Sequence, residues 1–224
     1  MARGANLMNL RDSRPMSHQG LEAENLQLWR GERHVLRGVG FSVERGSCLH
    51  VTGANGAGKT SLLRAACGLL HPESGRLLWN GQDVAADPPA FHASLLYIGH
   101  EAPLKADLSA LENLRYWIGM RRRVSASALG AALQRVGAAA WSDRPARTLS
   151  AGQKRRVALA ALSLALVPLW LLDEPTTNLD GEGQRLVGSL IEEQLTRGGL
   201  VLAATHHELP VAPARVRRLE LTLG

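Results

Sequence analysis

The sequence predicts an α/β fold, on three observations. A short apolar stretch, Cys48-Leu49-His50-Val51-Thr52, runs into Gly53-Ala54-Asn55-Gly56-Ala57-Gly58-Lys59-Thr60, and helical spacing follows from Lys59 to Leu70. Glycines at the first and sixth positions, then Lys-Thr, between a strand and a helix, make a phosphate-binding loop (P-loop) in the context it requires. A second stretch, Leu169-Trp170-Leu171-Leu172, is apolar at every position and ends in Asp173-Glu174, as a parallel strand buried on both faces does. Third, strand and helix patterns alternate along the chain, apart from an Ala-, Leu- and Arg-rich helical stretch from Ala102 to about Ser150 that reads as an insertion in the α/β core.

The elements follow in order. Residues 1–20 are polar and rich in Gly, Ser and Arg, and are expected to form a mobile tail without a signal peptide; Met1, Met8 and Met16 leave the start codon open. The folded domain is expected over 21–224. Leu26-Gln27-Leu28-Trp29 alternates as a strand does, Gly31-Glu32-Arg33 is a turn, and Val39 to Val43 is a second strand. Glu44-Arg45-Gly46 turns into the P-loop strand. The P-loop helix carries Leu62, Leu63, Ala66 and Leu70 on one side. His71 to Gly75 is a loop, Arg76 to Trp79 a strand, Asn80-Gly81 a tight turn, and Leu95 to Ile98 another strand.

In the insertion, over 102–150, Leu111, Leu114, Trp117 and Ile118 share one helical face, Arg121-Arg122-Arg123 suit a helix end, and Ala126 to Ala140 reads as a second helix. The apolar run from Val157 to Leu172 contains Pro168 and is too short for a bilayer span, which needs roughly 20 residues; it is expected to be a buried helix, a break and a buried strand. A helix over Gly183 to Arg197, a strand over Leu200 to Ala204 and a last strand over Val216 to Leu223 complete the chain.

Composition is that of a globular protein, with 45% hydrophobic and 21% charged residues among 224. The net charge of +6 suits nucleic acid, anionic lipid or nucleotide alike. Two cysteines, Cys48 and Cys67, make no disulfide framework and point to a reducing compartment.

The chemistry gathers on phosphate. Backbone N–H groups of the loop from Gly53 through Ala54, Asn55, Gly56, Ala57 and Gly58 can face a phosphate chain, and the helix start at Thr60-Ser61 adds its positive dipole end. Lys59 supplies a point charge for the β- and γ-phosphates, and the Thr60 hydroxyl a ligand for Mg²⁺. Asp173 can hold the same Mg²⁺, and Glu174 can polarise the attacking water. Leu149-Ser150-Ala151-Gly152-Gln153 opens a helix with Ser150 as its cap, which makes a second anion cradle from Ser150, Gly152 and Gln153.

With these motifs in hand, the chain resembles the nucleotide-binding subunits of ABC transporters, P-loop NTPases of the ABC-ATPase type. The motifs are Gly53 to Thr60 (Walker A), Leu149 to Gln153 (signature), Leu171 to Glu174 (Walker B), Asn178-Leu179-Asp180 (D-loop) and Thr205-His206 (switch histidine), in the family's order from about Leu21 to Leu223. The resemblance implies a mixed central sheet with a β-subdomain and an inserted helical subdomain. It also implies a homodimer that sandwiches two ATP with Mg²⁺, each ATP between one copy's P-loop and the other's signature. Catalysis is then carried by Glu174, His206 and Lys59, with Asp180 coupling the two sites. The family often has an aromatic at the position of Trp29 that stacks on adenine; a core tryptophan would read the same way. One position departs from the family. The glutamine that contacts Mg²⁺ and water is Glu101 here, and no glutamine lies between Gln82 and Gln134. A carboxylate can still ligate the metal but adds negative charge beside the γ-phosphate, so weaker hydrolysis or altered coupling to the membrane partner is expected.

Softer signals narrow the branch. Leu77 to Gly81, Leu96 to His100, Leu108 to Leu114 and Gln153 to Ala160 are similar to the small CcmA-type ATPases of cytochrome c maturation. That branch implies integral membrane partners of the CcmB and CcmC type, a peripheral position on the cytoplasmic face of the inner membrane, and a role in haem export or haem-chaperone release. No Cys-x-x-Cys-His run occurs, so no haem is expected on this chain, and with 4% aromatics no nucleic acid is expected either. Another small ABC importer or exporter, moving a solute or lipoprotein, stays open beside this reading, as does a soluble ABC ATPase acting on nucleic acid.

Overall fold

The computed structural model describes residues 19–223. The expected tail and the alternative starts at Met1, Met8 and Met16 lie outside them, except that Gly20 already opens the first strand.

β1 (Gly20–Arg30) and β2 (Arg33–Glu44) form a long antiparallel hairpin, paired from Gly20↔Glu44 to Arg30↔Arg33. Both strands outrun their expected cores. Their outer face is solvated, so Glu24, Arg37 and other polar residues sit within the ladder without an apolar run to mark it. β3 (Cys48–Gly53) leads into the P-loop and α1 (Lys59–Ala66). That helix stops short of the expected Leu70. Gly68 takes φ +76, and the N–H groups of Gly68 and Leu69 turn back to the carbonyls of Ala65 and Arg64.

β4 (Ser74–Trp79) and the two-residue β5 (Gln82–Asp83) follow. α2 (Pro88–Ala93) was not foreseen: Pro88-Pro89 reads as a breaker, but proline is at home in a first turn, and Asp87 accepts from the Ala90 N–H at 3.1 Å. After β6 (Leu95–Ile98) come α3 (Ala110–Gly119), capped by a reciprocal Ser109–Glu112 pair, and α4 (Ala126–Arg135). α4 ends well before Ala140, because Gly137 leaves helical dihedrals at φ +70. α5 (Ala151–Ala165), β7 (Leu169–Asp173), α6 (Gly181–Thr196), β8 (Leu200–Ala204) and β9 (Val216–Leu221) complete the order.

Antiparallel and parallel pairing are divided between two sheets. One is antiparallel with order β2-β1-β4-β5, and the other is parallel with order β6-β7-β8-β3-β9. β7 and β8 are buried at every residue, and their alternate side chains enter two cores. Trp170, Leu172, Val201 and Ala203 pack with α3, α4, α5 and α6. Leu169, Leu171, Leu200 and Leu202 pack with α1 and the antiparallel sheet. Both cysteines are free and buried, and burial pushes the Cys48 thiol up to about 12, so it stays protonated.

The strand order fixes the chemistry. β7, β8 and β3 are neighbours, all parallel, so three segments leave one edge of the sheet side by side: Asp173-Glu174, Thr205-His206 and the P-loop. Ligands of open α/β sheets bind at this carboxyl edge.

Candidate active site

The P-loop forms the floor of a cavity of about 440 Å³, lined by Asn55, Gly56, Gly58, Lys59, Thr60 and Ser61, with Arg30, Arg33, Val35, His100 and Glu174 around it. Lys59 is buried, and its Nζ donates to the carbonyls of Gly53 at 2.7 Å and Ala54 at 3.2 Å. Arg33 Nη2 donates to the Gly56 carbonyl at 2.7 Å, so the start of β2 braces the loop. Three cations therefore border a space whose floor is backbone amide, a setting for a polyanion.

At the rim the Thr60 hydroxyl donates to Asp173 Oδ1 at 3.2 Å. Asp173 is 1% exposed. Its Oδ2 is buried with no hydrogen-bond partner among the described residues, and so is Glu174 Oε2. Burial holds the Asp173 carboxyl above the ordinary carboxylate range, against the pull of the Thr60 hydrogen bond and of His100. Glu174 Oε1 lies 3.1 Å from His206 Nδ1, and the His206 side chain is about half exposed. Thr205 is fully buried, and its carbonyl accepts from His50 Nε2 at 3.1 Å, which anchors the strand end that carries His206. Thus Lys59, Thr60, Asp173, Glu174 and His206 come together.

A second group assembles elsewhere. Ser150 Oγ accepts from the Gln153 N–H at 3.2 Å, and Gln153 Oε1 accepts from the Ser150 N–H at 2.9 Å, which closes a capping box on α5. Gly152 packs so tightly on the next segment that a Cβ there would meet the Asn178 carbonyl oxygen at 2.6 Å. Asp180 caps α6 through the Gly183 N–H at 2.8 Å and pairs with Arg156 at 2.9 Å. The Gly183 N–H, then Arg156, holds its carboxyl below the usual range. None of Ser150, Gly152, Gln153 or Asp180 lines the P-loop cavity.

Glu101 and Trp29, two of the expected site residues, lie outside the lining of the P-loop cavity. Glu101 is exposed and does not line the cavity, whereas the neighbouring His100, also exposed, does. Trp29 is 45% exposed, which rules out the alternative of a core tryptophan, and it stacks on His34, ring centroids 4.3 Å apart and planes 5° from parallel. It lines a separate shallow cleft with Glu32, His34 and Arg37, which touches the phosphate cavity only through Arg33. The sequence reading also missed Arg155, whose guanidinium lies among carbonyls beneath this site. A signal was present: Arg155 sits on the stripe of Leu159 and Leu162, a charge that helical spacing buries.

The family model described as ABC transporter matches residues 36–177, which include the P-loop, Ser150 to Gln153 and Asp173-Glu174. The chain is 47% identical over 197 residues to the cytochrome c biogenesis ATP-binding export protein CcmA of Methylococcus capsulatus, across 88% of this chain and 95% of that one. It is 43% identical over 201 residues to the protein of the same name from Hahella chejuensis, across 90% and 95% of the two chains. A solved ATP-binding subunit of an ABC transporter superposes with a TM-score of 0.75 at 28% identity, across 84% of this chain and 80% of that one.

Proposed function

We propose that this chain, which belongs to the ABC transporter family and hydrolyses ATP, is the ATPase subunit of a membrane complex for cytochrome c maturation, and that two copies close head to tail on two ATP molecules. The observation that carries the catalytic reading is the convergence of Thr60, Asp173, Glu174 and His206 beside the P-loop. The branch rests on the likeness to cytochrome c biogenesis ATP-binding export proteins over about nine-tenths of the chain.

Each residue then has a role. Backbone N–H groups from Gly53 to Ser61 hold the phosphates, and Lys59 exchanges its bonds to the Gly53 and Ala54 carbonyls for phosphate oxygens. Thr60 Oγ1 and the unpartnered Asp173 Oδ2 are hard oxygen donors and fit Mg²⁺. When bound, that ion neutralises charge that develops on the phosphate oxygens. Glu174 orients the attacking water and accepts its proton, and His206 holds the Glu174 carboxylate and meets the γ-phosphate. Trp29, stacked on His34, offers a ring to adenine.

The Ser150, Gly152 and Gln153 cradle and Asp180 do not reach this chain's own cavity, so they serve the ATP of the other copy. Among the described residues no helix is long and apolar enough to cross a membrane, which suits a peripheral subunit on the cytoplasmic face, held by CcmB- and CcmC-like partners that handle the haem. Deleting the gene and staining for covalently bound haem tests the branch. The account expects c-type cytochromes to vanish, and to return with the wild-type gene but not with Glu174→Gln. Unchanged c-type cytochromes after deletion would contradict it.

A further inference from the structure

We infer that Arg155, in the second turn of α5, is a positioning residue for hydrolysis: it fixes the main chain on which Glu174 is mounted and ties that carboxylate to the helix that presents the Ser150 to Gln153 cradle. The inference rests on the reading of Glu174 as the group that handles the attacking water.

Arg155 is 3% exposed. Its guanidinium makes no salt bridge to a carboxylate among the described residues; all its hydrogen bonds go to main-chain carbonyls. Nη1 donates to the Gly99 oxygen at 2.8 Å, and Nη2 donates to the Asp173 oxygen at 2.7 Å and to the Glu174 oxygen. The Glu174 N–H donates to the Ala204 carbonyl at 2.7 Å. The peptide before Glu174 is therefore held by β8 and by Arg155, and the carbonyl after it by Arg155 together with the Thr177 N–H at 3.2 Å. Between them Glu174 takes φ +49, a left-handed conformation that a non-glycine residue keeps only when its surroundings impose it.

That conformation ends β7 and turns the Glu174 side chain toward His206 instead of along the strand. Without Arg155 the Asp173 and Glu174 carbonyls lose their shared charged donor, and the Glu174 carbonyl keeps the weaker turn bond from the Thr177 N–H. A planar fork can serve carbonyls from two strands at once, whereas a lysine ammonium is a compact point charge on a flexible stem.

The neighbouring Arg156 points the other way, to the Val136 carbonyl at 3.0 Å and Asp180 Oδ1 at 2.9 Å. The two arginines thus bolt one helix to both half-sites. Arg155 holds the Gly99 segment and the hydrolytic carboxylate of its own cavity, and Arg156 holds Asp180 beside the cradle offered to the partner copy. A shift of α5 relative to the parallel sheet is transmitted by Arg155 to Glu174.

The test uses the full chain reconstituted with its membrane partners and compares wild type, Arg155→Gln, Arg155→Lys, Glu174→Gln and the double variant Arg155→Gln/Glu174→Gln. Steady-state ATPase gives kcat and KM. A misplacement of about 1 Å costs on the order of 100-fold in rate, so Arg155→Gln is expected to lower kcat by about 10- to 100-fold with KM within about threefold of wild type. Arg155→Lys keeps a buried cation and is expected to show the same split with a smaller loss, which serves if Arg155→Gln does not fold. In the Glu174→Gln background Arg155→Gln should remove little more, because the group it positions is already disabled. Loss of turnover in Glu174→Gln with wild-type kcat in both Arg155 variants would overturn this inference alone. So would an Arg155→Gln penalty that is equal with and without Glu174. Full turnover in Glu174→Gln would instead overturn the reading of Glu174 and take this inference with it.

Discussion

Replacing Gly152 with alanine separates packing from helix propensity. Glycine to alanine inside a helix ordinarily stabilises by about 0.5–1 kcal/mol, because less backbone freedom is lost on folding. At Gly152 the added Cβ would lie 2.6 Å from the Asn178 carbonyl oxygen. That oxygen is backbone, fixed between a left-handed Asn178 at φ +63 and the Asp180 cap of α6, so it cannot swing aside as a side chain could. Forcing a methyl into such a contact costs about 1–3 kcal/mol.

The clash outweighs the propensity gain, and a net loss of about 1–2 kcal/mol follows, a fall of roughly 2–8 °C in Tm for a chain of this size. Gly130→Ala is the control. Gly130 lies exposed within α4 with no atom of the described residues within 4 Å of its Cβ position, so there the gain stands alone and Tm rises by roughly 1–4 °C. Thermal unfolding followed by circular dichroism measures both. ATP turnover should fall for Gly152→Ala, where the cradle is pushed off Asn178, and stay at the wild-type level for Gly130→Ala. If Gly152→Ala raised Tm alongside Gly130→Ala, the packing of the cradle on Asn178 would be wrong.

Other outcomes follow from the same geometry. Burial raises the Asp173 carboxyl, so the fold favours its protonated form, and stability increases as pH falls through the folded value. Asp173→Asn should therefore raise the neutral-pH unfolding midpoint of the nucleotide-free protein, lose that advantage toward acid pH, and abolish turnover; a variant less stable at every pH would refute the sign. Ser150→Ala and Ser125→Ala each remove a cap, from α5 and α4, and each should lower stability by about 0.5–2 kcal/mol in urea titrations. Only Ser150→Ala should also depress turnover, and equal ATPase losses would count against the cradle. Trp170→Ala empties a site that is 1% exposed and should cost about 3–5 kcal/mol of unfolding free energy.

What could be read from the chain depended on how each feature is encoded. The P-loop and β7 were legible because their chemistry is local: Gly53 to Thr60 is one loop, and Leu169 to Leu172 is buried on both faces, so no polar residue breaks the run before Asp173. The full lengths of β1 and β2 were not legible, since a half-solvated ladder admits charges wherever a side chain points outward. α2 was hidden because Pro88-Pro89 carries the same letters whether it breaks a helix or starts one, and only the Asp87 cap distinguishes them.

That His100 lines the cavity and Glu101 does not depends on the path of the chain beyond β6, which residue spacing does not carry. The roles of Arg155 and Arg156 depend on carbonyls at Gly99, Val136, Asp173 and Glu174, groups that every residue possesses and no sequence pattern marks. Trp29 needed its hairpin partner: the register Trp29↔His34 stacks the two rings, and that pairing is set by the whole strand and not by the residue.

The central claim is that ATP is cleaved between two copies, one giving Lys59, Asp173 and Glu174 and the other Ser150 to Gln153. Sedimentation velocity of the Glu174→Gln variant, with and without ATP, tests it most directly. The account predicts a monomer that becomes a dimer on adding ATP and stays monomeric when Ser150→Ala is added. An ATP-saturated Glu174→Gln variant that remained a monomer at every concentration would contradict it.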